Sequence, residues 1–325
     1  MYFGSVRFFK HLIITVIVLS IIIPSLLAIT FGVQNSKLKR QIAALDSSSS
    51  NSVNMQAPIG GGNDTQGNSP VNESSSNSSQ ESSASSNSDV EDLGYQNLYP
   101  DLFVEPTKKV ANPEGNKVVY LTFDDGPSQN TEKILNILDQ YNVKATFFVC
   151  RHDEEAVKPL YKEIVDRGHT IAIHAANHDY DVIYQSVEAY LEDFNNIFNY
   201  VYELTGVKCE LFRFPGGSSN VKNADVNKEI AAEMLRRGFT YHDWNVDSGD
   251  ADSKTKSTQQ IIDITLRQAQ AKTKSVVLMH DAAAKKYTPD ALPTVIQTLL
   301  DQGYKFEKLD ASVKPFNQII YSDGN

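Results

Sequence analysis

Asp124 and Asp125 stand side by side at the end of an apolar run, "VVYLTF". Adjacent carboxylates at a strand tip repel each other and resist burial, so something positive must offset them. His174 and His178, in "HAANH", are four apart, which puts both imidazoles on one face of a helical turn where they can bind one metal ion. A carboxylate added to that pair gives a His-His-Asp set, the three-ligand open site of hydrolytic zinc enzymes. Neighbouring residues of an extended strand point opposite ways. Asp125 is therefore assigned to the metal, and Asp124 to the general base that takes a proton from an attacking water. The ion and Arg213 together offset the repulsion. His280, on the opposite side, is the candidate proton donor to a leaving group, held in tautomer and raised in pKa by a carboxylate such as Asp250. Gly126-Pro127 makes the tight turn that leaves the carboxylates at a rim, and backbone amides in "PGGSS" can supply an oxyanion hole.

These residues need a scaffold that gathers distant segments. From about position 97 apolar strands alternate with amphipathic helical patterns. Strands are expected at 118–123, 145–149, 170–174, 211–214, 239–242, 275–279 and 304–309, and helices at 131–140, 154–167, 186–205, 226–237, 257–271 and 289–301. Several helices stop at a glycine, as at Gly206 and Gly303. The alternation predicts an α/β fold with a parallel sheet and enough units to curl into a distorted (β/α) barrel. Active sites of such folds lie at the C-terminal ends of the strands. The polar residues fall there: the aspartate pair after the first strand, His174 after the third, Arg213 after the fourth, Asp243, Asp247 and Asp250 after the fifth, His280 after the sixth. His11, His152, His169 and His242 have no partner pattern and read as structural.

The rest of the chain suggests where such a site would work. With 40 acidic against 30 basic side chains the formal charge is −10, which argues against nucleic acid as a partner. Residues 1–11 read as a cytoplasmic N-terminus and 12–33 as an uncharged span long enough to cross a bilayer. The poor cleavage site at Leu26-Leu27-Ala28 favours an uncleaved signal anchor over a removed signal peptide. Residues 34–95, rich in Ser and Asn, cannot bury enough apolar surface to order themselves and read as a disordered tether to a catalytic domain at 96–325. The expectation is a monomer, held in the cell membrane by a single pass, with its folded head on the outer face of a bacterium. The two cysteines, Cys150 and Cys209, are read as structural thiols rather than a disulfide framework.

Over about 117–309 the motifs resemble those of the polysaccharide deacetylases of the NodB-homology type, carbohydrate esterase family 4. "TFDDGP" looks like the family's first motif, base then metal ligand. "HAANH" is similar to its His-(Ser/Thr)-x-x-His motif, "RFPGG" to its Arg-x-Pro motif, and "VLMHD" to its Leu-x-His motif. The resemblance implies that Arg213 tunes the base, that Pro215 and Gly216 form the oxyanion turn, that Leu278 walls an acetyl pocket and that His280 is the acid. It also implies hydrolysis of N-acetyl groups from an N-acetylhexosamine polymer, with Zn2+ as the ion and Co2+ or Ni2+ as substitutes. The anchor and tether point to peptidoglycan as the polysaccharide partner. Three positions depart from the pattern: Ala175 replaces a bracing Ser/Thr, Gly216 an aromatic, and Ala251 a tryptophan, with Trp244 expected to fill part of the gap. An O-acetyl esterase, an exopolysaccharide deacetylase and a non-catalytic glycan-binding module are the alternatives.

Overall fold

The first strand, β1 (Val118–Asp124), divides its side chains by the period-two rule of a pleated strand. Val119, Leu121 and Phe123 join the large core that includes the helical residues Ile134, Leu138 and Val295. Val118 and Tyr120 belong to a smaller apolar cluster with Phe148, Ala172 and Val276, built from strands and the chain after the last strand. The structure, a computed structural model, describes residues 93–105, 108 and 117–321. The expected membrane helix at 12–33 and the tether up to position 92 lie outside the described residues. Among the described residues no helix is long and apolar enough to cross a membrane.

After β1 come α1 (Thr131–Gln140), β2 (Thr146–Cys150), α2 (Lys158–Asp166), β3 (Thr170–Ala175) and the short α3 (Tyr180–Ile183). Then follow α4 (Val187–Thr205), β4 (Leu211–Phe212), α5 (Ala224–Arg236), β5 (Thr240–Tyr241), β6 (Val246–Asp247), α6 (Thr258–Ala269), β7 (Lys274–His280), α7 (Tyr287–Asp301) and β8 (Lys305–Glu307). All recorded strand pairs are parallel, in the order β5-β4-β3-β2-β1-β7-β6. The order ends at β5 and β6, so the expected barrel is a half-barrel. β8 takes the lower half of a β1 edge, Val118 to Tyr120, while β2 pairs with Thr122 to Asp124 above it. The chain beyond β8 then runs beneath β2 and β3, where the Leu309 N–H donates to Thr146 Oγ1 and its carbonyl accepts from Thr170 Oγ1.

Local signals set the helix limits. α2 starts at Lys158 rather than at 154 because Pro159 sits in its first turn, where a missing N–H costs nothing. Ser186 caps α4 through the Ala189 N–H, and Gly206 ends it in the left-handed conformation. Ser257 and Gln260 form a capping box on α6. Two elements escaped the pattern search. β6 offers one buried apolar side chain, Val246, too little to show alternation. α3 is a single turn capped by the Asp179 side chain, which accepts from the Asp181 N–H. Both cysteines are free and buried.

Candidate functional site

The alternation that plugs the interior with Val118 and Tyr120 carries Thr122 and Asp124 onto the same inner face, one level higher each time. Registered pairing puts Asp124 beside His280 of β7. Arg213, fully buried just past β4, reaches across this space. Its Nη1 donates to Asp124 Oδ1 (2.7 Å) and Thr122 Oγ1 (2.8 Å), and its Nε and Nη2 to the His242 and Asp243 carbonyls (2.8 and 2.9 Å). Phe148 covers the guanidinium, 4.1 Å from its carbon to the ring centre, with Trp244 at 5.7 Å. A charge so desolvated is tolerable because every arm has a partner.

Asp125 does not continue the strand. Its φ of +69° is left-handed, a region aspartate visits more readily than most residues. The opposite-faces rule therefore does not separate the two carboxylates. The turn instead swings Asp125 Oδ1 to 3.5 Å from both His174 Nε2 and His178 Nε2, while Asp124 Oδ2 stays 4.0 Å from His174. One ligand atom each from Asp125, His174 and His178 lies within 4.8 Å of the others. His174 Nδ1 donates to the Arg213 carbonyl (2.9 Å), which leaves Nε2 with a free lone pair toward the cluster. Burial lowers the His174 pKa and favours the neutral, ligating form. The donor set fits a borderline divalent cation: two imidazole nitrogens and one carboxylate oxygen, with room for further ligands on the exposed His178 side.

Across the site His280 Nδ1 lies 2.8 Å from Asp250 Oδ1, and the His280 N–H donates to Asp250 Oδ2 (2.8 Å), which also accepts from Thr288 Oγ1 (2.7 Å). Burial alone would depress the His280 pKa. The Asp250 hydrogen bond and charge, with Asp124 and Asp125 adding theirs, push it up to about 9. The same contacts outweigh burial at Asp250 and hold its pKa down.

Of the other sequence candidates, Leu278 is buried on the inner face of β7 between Val276 and His280. Pro215 and Gly216 form the turn after Arg213, and no acceptor among the described residues takes the Gly216 N–H. Asp243 is no part of the reacting centre. It pins the glycine turn, accepting from Ser218 N (2.8 Å), Ser218 Oγ (2.5 Å) and Gln318 N (2.8 Å). Asp247 is exposed and accepts from Gly249 N. Trp244 lies against Gly217, and the side chain over Gly216 is Tyr180 instead. Ala251 is exposed and leaves the rim beside Asp250 open.

A family model for polysaccharide deacetylase matches residues 111–239. The putative polysaccharide deacetylase YheN of Bacillus subtilis is 31% identical over 233 residues, 70% of this chain and 79% of that protein. The chain belongs to the polysaccharide deacetylase family. A peptidoglycan-N-acetylglucosamine deacetylase of Bacillus cereus is 30% identical over 200 residues, 60% of this chain and 70% of that one. Among solved structures, the catalytic domain of peptidoglycan N-acetylglucosamine deacetylase from Eubacterium rectale superposes with a TM-score of 0.62 at 39% identity, covering 66% of this chain and 98% of that one.

Within this deacetylase, two residues near the cluster had no sequence signal of their own. His152, read as structural, donates from Nε2 to the Asp125 carbonyl (3.0 Å) and supports the left-handed turn. It lines a cleft of about 440 Å3 together with Asp125, Arg151, Asn177 and His178. Asp193 of α4 accepts from the Ala176 and Asn177 N–H groups (2.8 and 2.6 Å), and so braces the loop between the two histidines where Ala175 offers no hydroxyl. A carboxylate fifteen positions beyond His178, on α4 rather than the adjoining α3, lies outside any local motif.

Proposed function

We propose that this deacetylase removes acetyl groups hydrolytically from N-acetylhexosamine residues of a cell-surface polysaccharide, foremost the N-acetylglucosamine of peptidoglycan, with Zn2+ held by Asp125, His174 and His178. The observation that carries this reading is the placement of a fixed carboxylate, Asp124, and a fixed imidazole, His280, on one inner face beside a three-donor cluster. A cation bound there supplies Lewis acidity, polarising the acetamido carbonyl and acidifying a water.

Arg213 holds Asp124 Oδ1, so Oδ2 is the oxygen left to take a proton from the attacking water. The Gly216 N–H is a candidate donor to the oxygen on which negative charge develops. His280, protonated at neutral pH through Asp250, gives a proton to the departing sugar nitrogen from Nε2 while Nδ1 stays on the carboxylate. Leu278 walls the methyl end of the acetyl group. Residues 12–33 are proposed as a single-pass anchor and 34–95 as the tether that lets an extracellular head, acting as a monomer, reach the wall.

The test uses the full-length protein in detergent, loaded with zinc or stripped with a chelator. Acetate is measured from peptidoglycan, N-acetylglucosamine oligomers and O-acetylated xylan. Release from the two N-acetylated substrates, abolished by the chelator and restored by zinc, is expected. Release from xylan alone, or metal-independent release, would overturn the reading.

A further inference from the structure

Gly216 and Gly217 both have φ of +80°, and each is overhung by an aromatic ring from a different segment. A Cβ on Gly217 would lie 2.8 Å from the Trp244 ring. One on Gly216 would lie 2.7 Å from the Tyr180 hydroxyl and 3.1 Å from its ring. Tyr180 and the Asn220 amide nitrogen, 2.8 Å from the same point, thus occupy the space that any side chain at 216 would need. It opens α3, two residues after His178, and its ring packs on that imidazole at 5.4 Å between centres and edge-on to Tyr184 at 5.8 Å. Tyr184 donates its hydroxyl to the Pro215 carbonyl (2.8 Å), so α3 and the glycine turn are tied together.

The Tyr180 side chain is half-buried, yet its hydroxyl has no hydrogen-bond partner among the described residues. The neighbouring Gly216 is exposed, and its N–H likewise has no acceptor among the described residues. Two unpartnered donors side by side, beside His178, offer a site for a shared acceptor from outside the chain. In the substrate class proposed above, the group that gains negative charge, and so is best matched by two donors, is the acetamido oxygen.

We propose that Tyr180 is a catalytic residue whose hydroxyl donates to the acetamido oxygen alongside the Gly216 N–H. This rests on the deacetylase reading. The ring's contact with His178 sets the angle of the hydroxyl, and Tyr184 sets the distance of the turn. A donor engaged as charge develops acts on kcat rather than KM.

The test compares the full-length, zinc-loaded wild type with Tyr180→Phe, which keeps the ring and deletes only the hydroxyl. Zinc content and the kinetics of acetate release from the N-acetylglucosamine tetramer are measured for both. Expected is a kcat about tenfold lower, with KM within about twofold and zinc content unchanged. Unchanged kinetics would overturn the proposal. So would a rise in KM alone, which would move the contact to a sugar hydroxyl, or a loss that tracks zinc content, which would reduce Tyr180 to packing on His178. If the wild type itself releases no acetate from this substrate or peptidoglycan, the deacetylase reading fails and takes Tyr180 with it. An active wild type matched by Tyr180→Phe sinks the Tyr180 role alone.

Discussion

β1 and β7 run together for seven registered pairs, from Val118 opposite Lys274 to Asp124 opposite His280, whereas β4, β5 and β6 have two residues each. On the long-paired side the ladder itself sets side-chain height and face, so Asp124 and His280 need little else to meet at the rim. On the short-stranded side the chain leaves the sheet almost at once, and each loop is tied by a dedicated polar group. Asp193 holds the loop after β3, Asp243 the glycine turn after β4, and Tyr184 joins the two regions through Pro215. Regular pairing positions Asp124 and His280, the proposed proton-handling groups, while individual side chains tie down the loops that carry His178 and Gly216.

Substitutions on the two sides should therefore fail differently. On the ladder side, Asp124→Asn is expected to lower kcat by about 10²–10⁴-fold while zinc stoichiometry stays close to wild type, with a loss of thermal stability because the buried Arg213 loses its charged partner. Loss of metal in that variant would show that the two aspartates do not divide their work. On the loop side, Asp193→Asn leaves one oxygen for two backbone N–H groups and turns an NH2 donor toward the other. It is expected to weaken zinc affinity about 10–100-fold, read by chelator competition, and Co2+ substitution should show a changed visible spectrum. Wild-type affinity in that variant would mean the histidine loop holds its shape without α4.

A third comparison uses pH. Because His280 is raised to about 9, its proton is present through neutrality and is lost as pH climbs through that value, so kcat/KM falls on the alkaline side. A bound cation offsets the Asp124 and Asp125 charges and brings the limb somewhat lower. Asp250→Asn deletes the carboxylate charge that faces His280, so burial weighs more and the alkaline limb should move to lower pH. A limb that stays in place would assign the proton to another group. The smallest expected effect concerns the β1 turn. A Cβ on Gly126 would overlap the Asp281 carboxylate, so Gly126→Ala should cost about 1–3 kcal/mol in denaturant unfolding with modest change in kcat.

The ladder side was the legible one. The run at 118–123 and the "VVLMHD" segment announce long buried strands, and polar residues at their ends mark a rim. α1 and α4 followed from apolar periodicity along their whole lengths. What the sequence hid is what lacks periodicity. β6 rests on one buried valine and α3 on one turn, and neither yields a pattern. The separation of the two carboxylates followed from an extended-strand rule that the left-handed Asp125 does not obey. Gly126 was read as a turn former; the structure requires it for the close approach of Asp281, a residue distant in sequence. Asp193 likewise reaches the loop between the histidines only through tertiary packing.

The seven-pair register of β1 and β7 also bears on how the protein is made. β1 leaves the ribosome among the first parts of the domain, and β7 and β8, which both pair with β1, among the last. Contacts this distant in sequence form late and slowly, since the loop between them must be closed before they stabilise anything. Asp124 and His280 therefore come together only once nearly the whole domain is present, and a chain cut short before β7 would be inert rather than partly active.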